Sequence, residues 1–126
     1  MFTRARAAIL GASFLACPPS LALAGKPFDS QAFQSAQAAG RTILVDVSAT
    51  WCPTCKAQKP IVQDIEHANP QLIVFDVDFD TAKDVLKRFR VRAQSTLIVF
   101  KGKKEIARST GDTNPDSLRS LVAKGF

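Results

Sequence analysis

The stretch Thr42-Ile43-Leu44-Val45-Asp46-Val47-Ser48-Ala49-Thr50-Trp51-Cys52-Pro53-Thr54-Cys55 decides the fold. Its first eight residues are β-rich and apolar on both parities, except at Asp46 and Ser48. That pattern predicts a strand, Thr42 to Ala49, buried on both faces. A helix opens at the cysteine motif and runs to about Ala68, where Asn69-Pro70 ends it. Ile61 and Ile65 share one side of that helix.

The junction between strand and helix places the cysteines. Cys52 falls at the N-cap and Pro53 at the first helical position, where a missing N–H costs nothing. Cys55 lies one turn in. The Cys52 sulfur can accept from free N–H groups of the first turn, and the helix dipole adds positive potential there. Both favour thiolate, the attacking species in disulfide exchange. Cys55 shares the helix face, with its Cα about 5 Å from that of Cys52, within reach of a disulfide. One cysteine can attack a substrate disulfide and the other resolve the mixed disulfide. A zinc site would need a second ligand pair, and beyond residue 24 the chain adds only His67, which reads as a surface residue near a helix end. A purely structural bridge over three residues would stabilise little.

Outward from the motif, Asp29 caps a helix from Ser30 to about Ala39, with Phe33 and Ala36 inward and Gly40 as its stop. Leu72 to Asp78 is a second strand. Thr81 and Asp84 form a capping box for a helix ending near Phe89, with Val85, Leu86 and Phe89 inward. Thr96 to Phe100 is a third strand. Lys101 to Lys104 turns into a fourth, Glu105 to Ser109. Asn114 caps the last helix, Pro115 opens it, and Leu118, Leu121 and Val122 face the core. The order α-β-α-β-α-β-β-α requires parallel crossover units plus one antiparallel hairpin. The expected fold is α/β: a mixed central sheet of about four strands, flanked by helices on both faces.

In this setting the Cys-x-x-Cys motif resembles the thioredoxin family, and the resemblance covers about Phe28 to Phe126. Asp46 matches a buried aspartate of the strand before the motif, and Trp51 the tryptophan before the first cysteine. Pro60 matches the proline that kinks the motif helix. Thr96-Leu97 begins the strand after the substrate-binding loop, and Gly111 is the glycine before the last helix. The resemblance implies a protein thiol–disulfide oxidoreductase of thioredoxin fold that needs no metal or cofactor. Its catalytic residues would be Cys52, Cys55 and Asp46; Trp51, Pro53, Thr54, Ser95 and Thr96 would meet the substrate. Cys52 would be the exposed nucleophile and Cys55 the buried resolving thiol. Read from the residues alone, Asp46 could face solvent with Ile43, Val45 and Val47 on the other side, and Trp51 could be core filling. The family pattern instead buries Asp46 beneath Cys55, which would raise its pKa and let it take the Cys55 proton.

Three positions depart from the family. Ser95 stands where a cis-proline usually faces the cysteines. Either the Gln94–Ser95 bond is cis, at a cost of about 2.5–4 kcal/mol, or the loop takes another path. Pro53-Thr54 replaces the Gly-Pro of cytoplasmic thioredoxins. Asp76 takes the place where bacterial thioredoxins often have a lysine paired to the buried aspartate. If Asp76 lies near Asp46, the two repel and one pKa rises. Ser95 also motivates a metal-handling alternative, with the Cys pair holding copper or an iron–sulfur cluster. A non-catalytic binding module on the same scaffold is a further alternative.

The first 24 residues read differently from the rest. Arg4 and Arg6 precede an apolar run, Ala7 to Ala16, then Pro18-Pro19 and the small-x-small site Ala22-Leu23-Ala24. With no acidic residue in Met1 to Ala24, this predicts a secretory signal cleaved after Ala24, leaving residues 25–126 as one domain. The localisation expected is periplasmic or otherwise exported. Phe14-Leu15-Ala16 before Cys17 is a poor lipobox. Without Arg4 and Arg6 the full chain's net +6 becomes +4, from 15 basic and 11 acidic side chains. That excess is scattered among Lys83, Lys87, Arg88, Arg90, Arg92 and Lys101 to Lys104, a solvated face with no nucleic-acid partner. The chain has no apolar run of about 20 residues, hence no conventional membrane span. The expected partners are protein disulfides or dithiols and a redox donor or acceptor protein, met by a monomer.

Overall fold

The computed structural model describes residues 25–126. The expected leader, its cleavage site and Cys17 lie outside the described residues, apart from Gly25 itself. In chain order the elements are β1 (Lys26–Pro27), α1 (Ser30–Ala38), β2 (Thr42–Ser48), α2 (Pro53–Ala68) and β3 (Ile73–Asp78), followed by α3 (Lys83–Phe89), β4 (Thr96–Lys101), β5 (Lys104–Thr110) and α4 (Pro115–Ala123). The sheet order is β1-β3-β2-β4-β5. Strand β2 pairs parallel with β3 and antiparallel with β4, and β4 pairs antiparallel with β5. The connections are those the element order required.

The apolar run of β2 is buried on both faces because helices cover both. Ile43, Val45 and Val47 face α1 and α3, in a cluster with Phe33, Phe75, Phe89, Ile98 and Phe100. The Phe33 ring packs 5.3 Å from that of Phe89 and 5.4 Å from that of Phe100, both edge-on, a favoured aromatic geometry. Leu44 faces α2 and α4, with Val62, Ile65, Val74, Leu97, Leu118 and Val122. Side chains alternate along a strand, so Asp46 lies on the same side as Leu44, under α2.

The caps of α1 and α4 form as expected. The Asp29 carboxylate accepts from the Ala32 N–H at 2.8 Å, and Asn114 Oδ1 from the Ser117 N–H at 3.0 Å. Two expectations are corrected. The sheet has five strands rather than four, because Lys26–Pro27 adds a short parallel strand along β3. Two residues have no periodicity to read, and only the pairing reveals them. The Thr81–Asp84 capping box does not form either. Ala82 is the N-cap, with no side-chain hydrogen bond, and the entry to α3 is held instead by the Asp78 carbonyl accepting from the Ala82 N–H at 2.9 Å. The remaining boundaries differ by a residue or so, as frayed element ends do.

Candidate active site

Four residues separate β2 from helix α2, and that short turn sets Cys52 at the sheet edge. Cys52 is the N-cap of α2, with φ −87° and ψ 110°. Its Sγ accepts from the Cys55 N–H at 3.1 Å, and Pro53 opens the helix. The two cysteines are joined as a disulfide with Cα atoms 5.3 Å apart. In this oxidised form both cysteines are buried, Cys52 1% and Cys55 6% exposed, so the disulfide does not present an open Cys52. Ala49 and Phe79 pack against the pair and account for part of this cover.

Beneath the pair lies Asp46, 5% exposed. Its burial excludes the solvent-facing reading of this residue. It lines a cavity of about 230 Å³ together with Ser48, Ala49, Thr50, Cys55, Lys56 and Lys59. The carboxylate and Cys55 thus line one pocket. The parallel register sets Asp76 directly beside Asp46. Burial, and then the Asp76 charge, push the Asp46 carboxyl from 3.8 up to about 7, against the pull of Lys59. The Asp76 carboxyl is also raised, chiefly by burial, with Lys59 pulling it down and Glu66 pushing it up. A carboxyl poised near neutrality can give or take a proton at physiological pH, which an ordinary aspartate does poorly.

The loop before β4 closes the other side. No peptide bond among the described residues is cis, and Ser95 takes φ +59°, in the left-handed region. The loop therefore follows a different path, which is the second of the two possibilities Ser95 left open. Ser95 is buried, and its hydroxyl donates to the Gln94 carbonyl at 2.6 Å. Its own carbonyl accepts from the Gly111 N–H at 3.0 Å and from Gln58 Nε2 at 3.3 Å. Thr96 is buried as well, with Oγ1 donating to the Ala93 carbonyl at 2.8 Å. Trp51 is 55% exposed, so it does not fill the core, and its indole Nε1 donates to Asp80 Oδ2 at 2.8 Å. Pro53 is exposed and Thr54 half-buried on the first turn of α2.

A family model described as thioredoxin matches residues 24–124. The chain belongs to the thioredoxin family. It is 35% identical over 91 residues to thioredoxin-1 of Saccharomyces cerevisiae, covering 72% of this chain and 87% of that one. It is 34% identical over 97 residues to a thioredoxin of Echinococcus granulosus, covering 77% and 90%. Among solved structures, Trxlp of Edwardsiella tarda superimposes with a TM-score of 0.74 at 44% identity, covering 76% of this chain and 95% of that one. The protein is a thioredoxin-type thiol–disulfide oxidoreductase acting on protein substrates.

Within this thioredoxin fold the structure brings Cys52, Cys55 and Asp46 to one place. Trp51, Pro53 and Thr54 lie at the surface beside them, whereas the hydroxyls of Ser95 and Thr96 are turned to backbone carbonyls. Two residues of the site escaped the sequence reading. Gln58 is buried and bridges α2 to the Ser95 and Asp112 carbonyls. Lys59 lines the Asp46 cavity beside Lys56 and is the cation that pulls the Asp46 carboxyl down. Both signals were available, since positions three and four beyond Cys55 lie on the Cys55 side of a helix. Phe79 and Asp80 carried no such signal, for they reach the motif only through the β3–β2 pairing.

Proposed function

We propose that the protein is an exported thiol–disulfide exchanger in which Cys52 attacks, Cys55 resolves and Asp46 moves the proton. The observation that carries this reading is the cavity shared by Asp46 and Cys55. In the reducing direction, the Cys52 thiolate attacks one sulfur of a substrate disulfide and the other leaves as thiolate. Cys55 passes its proton to Asp46 and attacks the Cys52 sulfur. The mixed disulfide breaks, the substrate receives two electrons and leaves as a dithiol after taking one proton from Asp46 and one from solvent, and the Cys52–Cys55 disulfide remains. A redox donor protein restores the dithiol; the oxidising direction is the reverse. Reduction uncovers the Cys52 sulfur or moves its cover aside, because attack requires access. Trp51, Pro53 and Thr54 form the rim against which the substrate docks.

Export is supported by the leader-like pattern of Met1 to Ala24 and by a family match that begins at residue 24. Insulin reduction with a dithiol donor tests the activity, and recovery of the processed chain from the periplasm of a bacterial host tests the location. Turnover lost in Cys52→Ser, with mixed disulfides accumulating only in Cys55→Ser, is the expected result. Mixed disulfides accumulating through Cys55 in Cys52→Ser would reverse the roles, and retention in the cytoplasm would remove the export reading.

A further inference from the structure

Gly25 sits at the acidic edge of the site. Its N–H donates to Glu66 Oε2 at 3.3 Å. A methyl group added at Gly25 would stand 2.5 Å from both carboxylate oxygens of Asp76, and the residue has φ +74°. The close approach and the left-handed backbone both favour glycine there. The position is anchored, because Lys26 pairs with Phe75, Pro27 pairs with Asp76, and the Phe28 N–H donates to the Asp76 carbonyl at 2.9 Å. Gly25 is also the residue that cleavage after Ala24 would make the first of the chain.

We propose that the α-ammonium group created at Gly25 by leader removal docks between the carboxylates of Glu66 and Asp76, so that processing adds a cation to the edge of the redox site. The proposal rests on the export reading above. Hydrolysis of the Ala24–Gly25 amide consumes one water, leaving a carboxylate on the leader and an ammonium on Gly25. A neutral nitrogen with one N–H, already bonded to Glu66, becomes a charged one with three donors, on a residue that the Asp76 carboxylate abuts. Charged donors make the shorter and stronger bonds to carboxylates.

Charges reach this place from several elements. Helix α2 supplies Glu66 and Lys59, β3 supplies Asp76, and β2 supplies Asp46 beyond Asp76. Lys26 follows Gly25, and Arg41 lines the same hollow as Gly25 and Glu66. The Arg41 guanidinium is engaged by the Gln71 carbonyl at 2.9 Å. Since Asp76 is the register partner of Asp46, Gly25 acts on the site as a positioning residue. An ammonium paired in the fold titrates above the ordinary α-amino range, so its stabilisation is complete at neutral pH and is lost as pH rises through that titration.

The test uses the protein exported from the full chain with its own leader. Intact mass and N-terminal sequencing first fix the starting residue. Limited acetylation with acetic anhydride at pH 7.5 then reads the rate at the Gly25 amine by peptide mass. We expect that rate to be about tenfold slower than in Glu66→Gln/Asp76→Asn, one unit of pKa corresponding to a tenfold change in free amine. If the double variant does not fold, Glu66→Gln alone is expected to give about a threefold ratio, half a unit. Acetylated protein should also melt at a lower temperature than unmodified protein at pH 7.5, and at the same temperature once the pH exceeds the titration of the amine. A chain that starts at Gly25 and acetylates equally fast in wild type and variant overturns the docking while leaving export intact. A chain that starts at another residue overturns the cleavage reading and the proposal with it.

Discussion

On one face of the sheet, Ile43, Val45 and Val47 of β2 meet Phe33, Phe75, Phe89 and Phe100. On the other, one residue along the same strand, Leu44 meets Val62 and Ile65, while Asp46 meets Asp76 and a cavity. The first face packs an aromatic and aliphatic cluster, which stabilises the fold. The second ends in two neighbouring carboxyls and the Gln58 side chain, whose Oε1 is buried without a partner. Burying such groups opposes folding. The contrast teaches a division of labour across one strand: the aromatic face holds the fold so that the other face can hold a proton near neutral pH.

The largest expected effect breaks the chemical face. Asp46→Asn should slow disulfide exchange by about 10- to 10⁴-fold near neutral pH, the range for a lost acid–base group. It should also make the fold more stable. A carboxyl held at about 7 in the fold but near 3.8 when unfolded keeps a proton that the unfolded chain has released, so stability falls as pH rises between those values. Removing that penalty at pH 8 is worth on the order of 2–4 kcal/mol. The urea midpoint should therefore rise at pH 8 and hardly change at pH 4. An unchanged exchange rate would remove the proton-transfer role.

Next comes the aromatic face. Phe33→Ala should cost about 3–5 kcal/mol, the usual loss for a buried phenylalanine. Exchange per folded molecule, with the folded fraction measured by circular dichroism, should stay the same. A rate falling in step with stability would mean that the two faces are not separable.

The smallest effect concerns the Ser95 loop. Proline requires φ near −65°, and Ser95 has φ +59°. Ser95→Pro should destabilise by more than about 1 kcal/mol, as prolines do at incompatible positions. A more stable variant would show that this loop readily takes a path that accommodates proline.

How much of this was legible in the sequence follows the range of each interaction. The Cys52 cap, the Pro53 start and the Asp29 and Asn114 caps depend on residues within one turn, and all could be read locally. The alternation of β2 marked Asp46 as the polar exception but not its surroundings. Its burial beneath α2, and the register that sets Asp76 beside it, depend on strands 30 residues apart in sequence. Family resemblance supplied both expectations. The short strand Lys26–Pro27 and the left-handed Ser95 had no local signature, for each exists only through its packing partners. Thr81 shows the reverse: a capping pattern was present, but the turn after β3 used the Asp78 carbonyl instead.

The central claim is that Asp46 carries a titratable proton beside Cys55 at neutral pH. A carbon-13 NMR titration of the Asp46 carboxyl in the oxidised protein, repeated in Asp76→Asn, tests it most directly. The midpoint expected is about 7, moving down in the variant as the neighbouring charge is removed. A midpoint near 3.8 in both proteins would contradict it.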